Sequence, residues 1–369
     1  MDPTHVAENF AVDGQLVTVD SYGAGNVNDT YLAIFRTTFS EEKVIIQRIN
    51  KTVFSKPETI MTNMRLLTEH VHRKLEKEKY EADRIWQLPM VILSRTGEDC
   101  HRDEEGEYWR AITRIGSATS HERITSAEHA FEAGTVLGQF HRLVADMDPE
   151  SLSCTLPGFH KTRLYLERYH KTLEGGSLLT LQGKSVEIKR LRDFIDRRKD
   201  RAGILEDALD RGELSVRIIH GDPKVSNIMI DDVTGKGTSI VDLDTVMPSL
   251  IHFDFGDALR SACNPAGEET MNLKDVYFDE DLCEAIVKGY MINGRRFLTE
   301  ADIGYLYDSV WLLAFELGLR FFQDYLAGDV YFKTRYKGHN LNRARVQFRL
   351  CESIEQRERS IRNVIESNV

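Results

Sequence analysis

Side chains able to do acid–base and metal chemistry are concentrated between His220 and Asn227 and again at Asp242. Short β-branched runs flank the first stretch, and another run, after a glycine-marked turn, ends at Asp242. Such runs predict buried strands, whose ends would gather Asp222, Asn227 and Asp242. An Asp and an Asn five residues apart, with Lys224 between them, have the spacing of a phosphoryl-transfer loop. We therefore predict that this region carries the chemistry.

The predicted roles follow from charge and ligand preference. Crowded carboxylates repel one another and need a cation, and Mg²⁺ takes oxygen ligands while keeping substrate phosphates in its shell. We predict that Asp222 is catalytic and that Asn227 and Asp242 hold Mg²⁺. An ordinary polar turn is the alternative interpretation, but the spacing, the intervening Lys224 and the strand ending in Asp242 disfavour it.

The elements that must position these residues change in type along the chain. Residues 1–112 read as strands around one helix, residues 113–119 as a hinge, and residues 120–369 as mostly helices. The predicted strands are Leu16–Tyr22, Tyr31–Phe35, Lys43–Ile49, Met90–Leu93 and Tyr108–Ile112, with a helix over Pro57–Lys74. The later helices are predicted over Ser126–Met147, Thr162–Lys171, Ser185–Asp210, Glu280–Ile292, Glu300–Leu326 and Leu341–Glu366.

A glycine turn in the strand-rich part is a candidate phosphate loop. Gly23 to Thr30 lies between two predicted strands, and glycine lets backbone approach a phosphate without a Cβ clash. An ordinary hairpin turn is the alternative. A phosphate-binding cation is expected on the third strand, where Arg48 is favoured over a purely structural role. An acid on the next helix would hold that cation; the sequence leaves its identity open, with Glu69 preferred because it falls mid-helix.

Several other polar residues remain open in role. Asp244 shares a strand face with Asp242 and would either hydrogen-bond the active loop or join the metal shell. Asp254 is expected to cap a helix beginning near Gly256. Arg320 lies among Leu, Phe and Tyr residues, which favours a partly buried arginine with a bound partner.

Composition limits the function class. The 369 residues carry a formal net charge of −11, which disfavours nucleic acid or an anionic membrane as the main partner. The five scattered cysteines form no C-x-x-C pair and indicate a reducing, cytoplasmic setting. The sequence has no basic-then-apolar leader and no long apolar run, so neither a signal peptide nor a membrane span is expected.

The motif His-Gly-Asp-x-Lys-x-x-Asn, followed by Ile-Val-Asp-Leu-Asp, resembles the aminoglycoside phosphotransferase and choline kinase superfamily. Within it the chain is most similar to the N-acetylhexosamine 1-kinases, through Gly-Ala-Gly-Asn-Val-Asn-Asp-Thr-Tyr, Gln-Arg-Ile-Asn and Glu-Leu-Gly-Leu-Arg-Phe. The resemblance implies a two-lobed, protein-kinase-like α+β fold, with a small strand-rich N-lobe, a large helical C-lobe, and ATP and Mg²⁺ as cofactors.

The resemblance also implies residue roles. Asp222 matches the catalytic Asp, and Asn227 and Asp242 match the metal ligands; Pro223 departs from the Thr that relatives often have there. The resemblance matches the Gly23–Thr30 loop, with Gly23, Gly25, Asn28 and Thr30, to the nucleotide loop. We also predict nucleotide contacts at Arg48, Glu69, Thr113 and Ile115. The resemblance puts Lys224, Arg320 and Tyr331 at the acceptor, and we also predict Asp244 as an acceptor contact.

The resulting hypothesis is phosphoryl transfer from ATP to a small-molecule sugar, at the anomeric hydroxyl of an N-acetylhexosamine. Only about a dozen residues separate Asp242 from Asp254, too few for the activation loop of a protein kinase, and no obligate protein partner is implied. An aminoglycoside or choline-type acceptor is the alternative. A nucleotide-binding pseudokinase ranks lower, because Asp222, Asn227 and Asp242 are all present.

Overall fold

The computed structural model describes residues 2–23, 27–77, 84–175 and 185–369. Its first part is a strand-rich unit with one long helix. In chain order the elements are α1 (Pro3–Ala7), β1 (Gln15–Ser21), β2 (Asp29–Arg36), β3 (Glu41–Ile49), α2 (Pro57–Lys77), β4 (Val91–Ile92), β5 (His101–Arg102) and β6 (Tyr108–Thr113). The predicted strands and the helix are all found here, while α1 and β5 were not predicted.

These strands form one antiparallel sheet in the order β1-β2-β3-β6-β4, with β5 also pairing with β6. Because side chains alternate along a strand, the two faces of β3 have different neighbours. Val44 and Ile46 pack in the core formed with α1, whereas Ile49 packs in the core that contains the apolar face of α2. The sheet therefore presents its even-numbered β3 residues away from α2.

The second part is mainly helical. It contains β7 (Ala118–Ser120), α3 (Ala127–Val144), α4 (Thr162–Glu174), α5 (Ser185–Asp196), α6 (Ile204–Asp210), β8 (Arg217–Ile219), β9 (Ile228–Asp231), β10 (Gly237–Ile240), β11 (Met247–Ser249), α7 (Ile251–Ala262), α8 (Glu280–Gly294), α9 (Glu300–Ala327), α10 (His339–Gln356) and α11 (Glu358–Ser367). None of the helices in the described ranges is long and apolar enough to cross a membrane. The protein thus has a mixed α+β fold with a strand-rich N-terminal sheet and a helical C-terminal region.

Two long predicted helices are each divided in the structure. The span Ser185–Asp210 breaks between α5 and α6, where Gly203, a poor helix former, precedes α6. The span Leu341–Glu366 breaks at Arg357, between α10 and α11, where the backbone leaves helical geometry and the Arg357 side chain contacts Glu280. Tertiary contacts, which periodicity does not report, accompany the second break.

Close helix packing fixes the centre of the helical part. A Cβ atom on Gly134 or Gly138 of α3 would clash with the carbonyl oxygen of Ile286 or Tyr290 on α8, so only glycine permits this approach. The same packing sets the position of His141, one turn further along α3. Two small sheets lie beside α3: β10-β9-β7 and β11-β8. Their strand ends carry the polar residues singled out by the sequence.

Candidate active site

The loop between β8 and β9 holds its polar side chains in one compact group. Lys224 Nζ donates a 2.6 Å hydrogen bond to Asp222 Oδ2. The Asn227 side-chain nitrogen donates to the Asp222 carbonyl oxygen at 2.8 Å and approaches its carboxylate at 3.4 Å. Asp222 is partly exposed, with 32% of its side chain accessible. The carboxylate is therefore held on one side and available to a ligand on the other.

The backbone of this loop is fixed by its neighbours. His220 Nε2 donates to the Val241 carbonyl oxygen at 2.9 Å, and its Nδ1 accepts from Asp222 N at 3.2 Å. Gly221 has a φ of +88°, and a Cβ there would lie 2.6 Å from the Thr245 carbonyl oxygen. Only glycine meets both conditions, so the loop packs directly against the turn that carries Asp242.

Asp254 holds the backbone of this loop and does not cap a helix. Helix α7 begins at Ile251 without a side-chain cap, which corrects the expected role of Asp254. Its fully buried carboxylate accepts from His220 N at 2.6 Å and from Gly221 N at 2.8 Å, and pairs with His141 Nε2 at 2.9 Å. Burial by itself would raise the pKa of Asp254, but the His141 hydrogen bond and charge, with His220, lower it. Asp254 is thus an ionised anchor for the backbone of His220 and Gly221, the two residues that precede Asp222.

We expect Asp254→Asn to lower both stability and turnover. In the variant, one carboxylate oxygen is replaced by an amide NH2 group, which would face a backbone N–H donor and leave it without an acceptor. The free energy of unfolding should therefore fall by about 2–4 kcal/mol. The loosened loop should lower kcat about 10²-fold, since small displacements of a reacting group have effects of this order. Urea unfolding and steady-state kinetics measure the two effects. Asp281→Asn, at an exposed position of α8, is the control and should change neither; equal effects of the two variants would contradict the anchoring role.

Asp242 lies beside Asp222 in an acidic group. It has a left-handed backbone conformation, with φ at +66°, which directs the chain into the turn 243–245. Surrounding protein withdraws water from its carboxyl group, and Asp244 and Asp222 repel it, so the pKa of Asp242 is raised to about 6 although Lys224 opposes the shift. A carboxyl group whose pKa is raised by neighbouring negative charges is stabilised in its ionised form when a cation binds beside it.

The donor set fits a magnesium ion that shares its shell with phosphate. Both hydrogen bonds of the Asn227 amide to described residues use its nitrogen, so its oxygen remains for a ligand. The described ranges contain no cluster of three or more His, Cys, Asp or Glu residues that could hold a metal alone. Mg²⁺ commonly binds through one or two protein groups and completes its octahedron with phosphate and water, which is what Asp242 and Asn227 would provide.

The Asp244 carboxylate binds side chains of the N-terminal sheet and of the turn before β2, which leaves it unavailable to a substrate. Its buried carboxylate accepts from Asn28 Nδ2 at 2.6 Å through Oδ2 and forms an ion pair with Arg110 through Oδ1. Both oxygens are engaged, which favours the hydrogen-bonding alternative and disfavours the substrate contact expected for Asp244. Asn28, expected at the nucleotide, in turn accepts from Asn50 N at 3.0 Å.

The expected pair between Arg48 and Glu69 does not form. Arg48 bonds to Asp29 on the neighbouring strand, and Glu69 pairs with Arg65 one turn earlier on α2 at 3.2 Å. The reason is the period of a strand: Arg48 shares its face with Val44 and Ile46, the face turned away from α2. Arg110, from β6, is a buried cation on the opposite, inner face of the sheet, the face of Gln47 and Ile49 that is turned towards α2.

The other predicted nucleotide residues are spread over the sheet: Thr30 pairs with Gln47 of β3, and Thr113 pairs with Val44 three residues earlier on the same strand. Gly23 has a φ of +72°, while Gly25 lies outside the described residues. Thr30 Oγ1 accepts from Gln47 Nε2 at 3.0 Å, and Thr113 Oγ1 accepts from Met90 N at 2.9 Å. Ile115 is buried in the predicted hinge, of which Ala118 pairs with β9.

Arg320 and Tyr331 lie together in an aromatic setting. The guanidinium carbon of Arg320 is 5.1 Å from the ring centre of Tyr165, 5.4 Å from that of Phe159, 5.5 Å from that of Phe332 and 6.0 Å from that of Tyr331. The Asp324 carboxylate accepts from the backbone nitrogens of residues 330–332 at 2.8–3.0 Å, which holds the loop in place. Tyr331 is itself 69% exposed.

Sequence reasoning assigned no role to Asp257 or Arg260 on α7. Arg260 Nε donates to Asp257 Oδ1 at 2.8 Å, and its Nη1 lies 3.7 Å from Glu268. Burial alone would lower the pKa of Arg260, but the negative charges of Asp257, Glu268 and, least of the three, Asp222 raise it. The three-residue spacing of Asp257 and Arg260 on a helix was the available signal.

Comparison with known proteins identifies the family of this chain and structures of similar fold. The profile described as the phosphotransferase enzyme family matches residues 52–281. The fold is similar to that of an aminoglycoside phosphotransferase from Alicyclobacillus acidocaldarius, with a TM-score of 0.61 and 13% identity over 100% of this chain and 97% of that one. A choline kinase from Cryptosporidium parvum matches with a TM-score of 0.58 and 13% identity over 94% and 91%. A microcompartment-associated aminopropanol kinase matches with 0.57 and 16% over 98% of each chain. With the family match covering more than half of its residues, this chain belongs to the phosphotransferase enzyme family.

Proposed function

We propose that the protein is an ATP-dependent small-molecule kinase that phosphorylates a sugar hydroxyl, the anomeric hydroxyl of an N-acetylhexosamine. The observation that carries the kinase assignment is the Asp222 carboxylate, held by Lys224 at 2.6 Å and next to the acidic turn of Asp242. In this role Asp222 orients the acceptor hydroxyl and takes its proton. Lys224 lies where it can meet the negative charge that develops on the transferred group.

Mg²⁺, when bound, would offset the negative charge of the phosphates. Asn227 and Asp242 are the residues proposed to hold it, while the turn after Asp242 leads directly through β11 into α7. This short connection supports a small acceptor, because it provides no extended docking loop. Positioning of the two substrates is the main contribution of the protein, as in other phosphoryl transfers.

The charges near Asp222 support an acceptor without a positive charge. Asp222 is paired with Lys224, and Asp257 is paired with Arg260. On α9, Arg320 lies next to the exposed ring of Tyr331 and has donors suited to hydroxyl and carbonyl oxygens; we propose that it contacts the acceptor. A sugar with an N-acetyl group offers such oxygens and an apolar face for the ring.

One observation favours a second candidate, an amine-bearing acceptor. Asp257 and Glu268 both lie near Arg260, so this cluster has one more negative than positive charge. Solved structures of similar fold include the choline kinase and the aminopropanol kinase. An amino alcohol or aminoglycoside would use the excess acid for its ammonium group.

An acceptor panel separates the two candidates. With MgATP and the full chain, we expect kcat/KM for N-acetylglucosamine or N-acetylgalactosamine to exceed that for ethanolamine, choline, 1-aminopropan-2-ol and kanamycin by about 10²-fold or more, the scale on which a site built to hydrogen-bond its substrate discriminates. Phosphorus NMR of the product identifies the hydroxyl. Turnover of amines alone would overturn the sugar proposal and leave the kinase assignment standing.

A variant of Arg320 provides the internal control for the panel. Arg320→Lys keeps the charge but loses the planar fork, so the KM of the sugar should rise while the KM of ATP stays unchanged. Arg349→Lys, at a pair on α10 with Glu352, is the matched control and should alter neither constant.

A further inference from the structure

A row of polar side chains crosses the inner face of the sheet and ends in the lobe that carries the acids. Thr30 on β2, Gln47 on β3 and Arg110 on β6 are direct cross-strand neighbours. Gln47 Nε2 donates to Thr30 Oγ1 at 3.0 Å, and Arg110 Nε donates to Gln47 Oε1 at 2.8 Å. Arg110 then forms its ion pair with Asp244. The row therefore joins three strands to the turn that follows Asp242.

A second link closes the row into a ring. Asn28 Nδ2 donates to the other oxygen of Asp244 at 2.6 Å, and Asn28 is only two residues before Thr30. The end of the glycine turn is thus tied to Asp244 twice, once directly through Asn28 and once across the sheet through Arg110. Displacing either Arg110 or Asp244 would leave the other, a buried charged group, without its partner.

The acid at the end of this ring is rigidly connected to the metal turn. Asp244 lies within the turn 243–245, two residues after Asp242. Thr245 Oγ1 donates to the His220 carbonyl oxygen at 2.7 Å, so the same turn also contacts the catalytic loop. A shift of Asp244 therefore moves both Asp242 and the backbone beside Asp222.

The burial of the pair shows that it is not a surface contact. The side chains of Arg110 and Asp244 are 1% and 4% exposed. A buried arginine without its carboxylate would be strongly unfavourable, so this pair is a strong link between β6 and the turn that follows Asp242. Arg110 cannot reach a ligand directly while it is so enclosed.

We propose that Arg110 is a positioning residue, which sets the distance between the nucleotide turn at Asn28 and the metal turn at Asp242 so that MgATP meets both. The inference rests on the proposed function and deepens it. It assigns to a β6–Asp244 pair the coupling that was expected from Arg48 and Glu69. Its specific consequence is that loss of the pair impairs binding of the metal–nucleotide complex more than binding of the nucleotide alone.

The test measures ADP binding by titration calorimetry with Mg²⁺ and, separately, with EDTA. For Arg110→Met we expect the affinity for MgADP to fall about 10-fold or more, as expected for a misplaced binding group, and the affinity for metal-free ADP to change by less than about 3-fold. Kinetically, the KM of ATP should rise while the KM of the acceptor stays within about 2-fold. Equal losses with Mg²⁺ and with EDTA would overturn the proposal, because a merely structural role predicts them.

Additional variants guard against misfolding and test the pair itself. Asn28→Ala removes the second link without leaving a buried charge and should act in the same direction with a smaller effect. A double-mutant cycle combines Arg110→Met with Asp244→Asn. The double variant should bind MgADP no more weakly than the weaker-binding single variant. If the losses of binding free energy in the two single variants add up in the double variant, the coupling is contradicted. Arg36→Met, which removes an exposed arginine paired with Glu41 on the same sheet, is the matched control.

The outcome for the wild-type protein separates this proposal from the proposed function. Failure of the wild type to bind ADP under either condition would overturn the kinase assignment itself. Normal wild-type binding with unchanged MgADP affinity in both Arg110→Met and Asn28→Ala would overturn only the positioning role.

Discussion

Asp222→Asn is expected to lower kcat about 10³-fold, within the range that a positioned general base contributes. The amide has the same shape and can still accept from Lys224, which now donates at 2.6 Å, so the loop should keep its geometry. What the variant loses is the negative charge and the site that takes the proton of the acceptor. Because the base does not contact the nucleotide in the proposed arrangement, the affinity for MgADP should stay within about 3-fold of the wild type.

Steady-state turnover and calorimetric binding measure the two parts of this prediction. Asp232→Asn, on the exposed hairpin ten residues further along, is the matched control and should behave as the wild type. Near-normal turnover of Asp222→Asn would remove Asp222 from the catalytic role. Tight nucleotide binding by the wild type with no turnover of any acceptor would instead support a pseudokinase.

Asp242→Asn is expected to abolish the contribution of Mg²⁺ to nucleotide binding and to lower turnover about 10³-fold, because the metal then loses its charged protein ligand. Asparagine tolerates the left-handed conformation that Asp242 adopts, with φ at +66°, so the backbone should not change. A wild-type protein at 100 times its Kd for MgADP gains about 2.7 kcal/mol of stability from the ligand. The variant should gain almost none.

The same substitution should slightly stabilise the protein when no metal is present. The pKa of Asp242 is raised from 3.8 to about 6, so between these values the folded protein binds more protons than the unfolded chain. Its carboxyl group therefore lowers stability as the pH rises through 6. Removing the charge should raise the free energy of unfolding above pH 6. The gain should be no more than about 1 kcal/mol, because Asp242 as a residue keeps accessible surface and water screens the repulsion, even though protein surrounds its carboxyl group. Near pH 4 the gain should disappear.

Thermal unfolding with and without MgADP, at several pH values, measures both effects. Asp222→Asn is the matched comparison, since it also neutralises an acid of the site but should retain stabilisation by MgADP. Equal stabilisation of the wild type and Asp242→Asn by MgADP would contradict the metal role.

The sequence was informative where function depends on local spacing. The order of strand, turn and strand around Asp222 and Asn227, and the strand preceding Asp242, follow from short apolar runs and turn residues, and the structure brings these side chains together. The mixed α+β class, the strand-rich first part and the helical second part were also predicted correctly. Each of these features is encoded within a few neighbouring residues.

Predictions that needed long-range pairing were less successful. Arg48 lies on the predicted strand and carries the positive charge that the prediction required. The sequence does not show, however, which face of that strand packs against α2. Asp254 had the pattern of a helix cap, yet its carboxylate serves backbone groups more than thirty residues away in the chain. The single helix expected over Ser185–Asp210 is interrupted, and Arg198 and Arg201 beside the break pair with Glu355 and Asp308.

The sequence alone therefore determined the chemical groups of the site and their local order. Tertiary structure decided which charges pair, most clearly in the Arg110–Asp244 pair, whose members are 134 residues apart. The physical reason is that strand and helix periodicities fix which residues share a face, whereas the partner of each face is chosen by packing of the whole chain. A buried ion pair offsets the lost hydration of its members only where that packing gives good geometry and further hydrogen bonds, as Gln47 provides for Arg110 and Asn28 for Asp244.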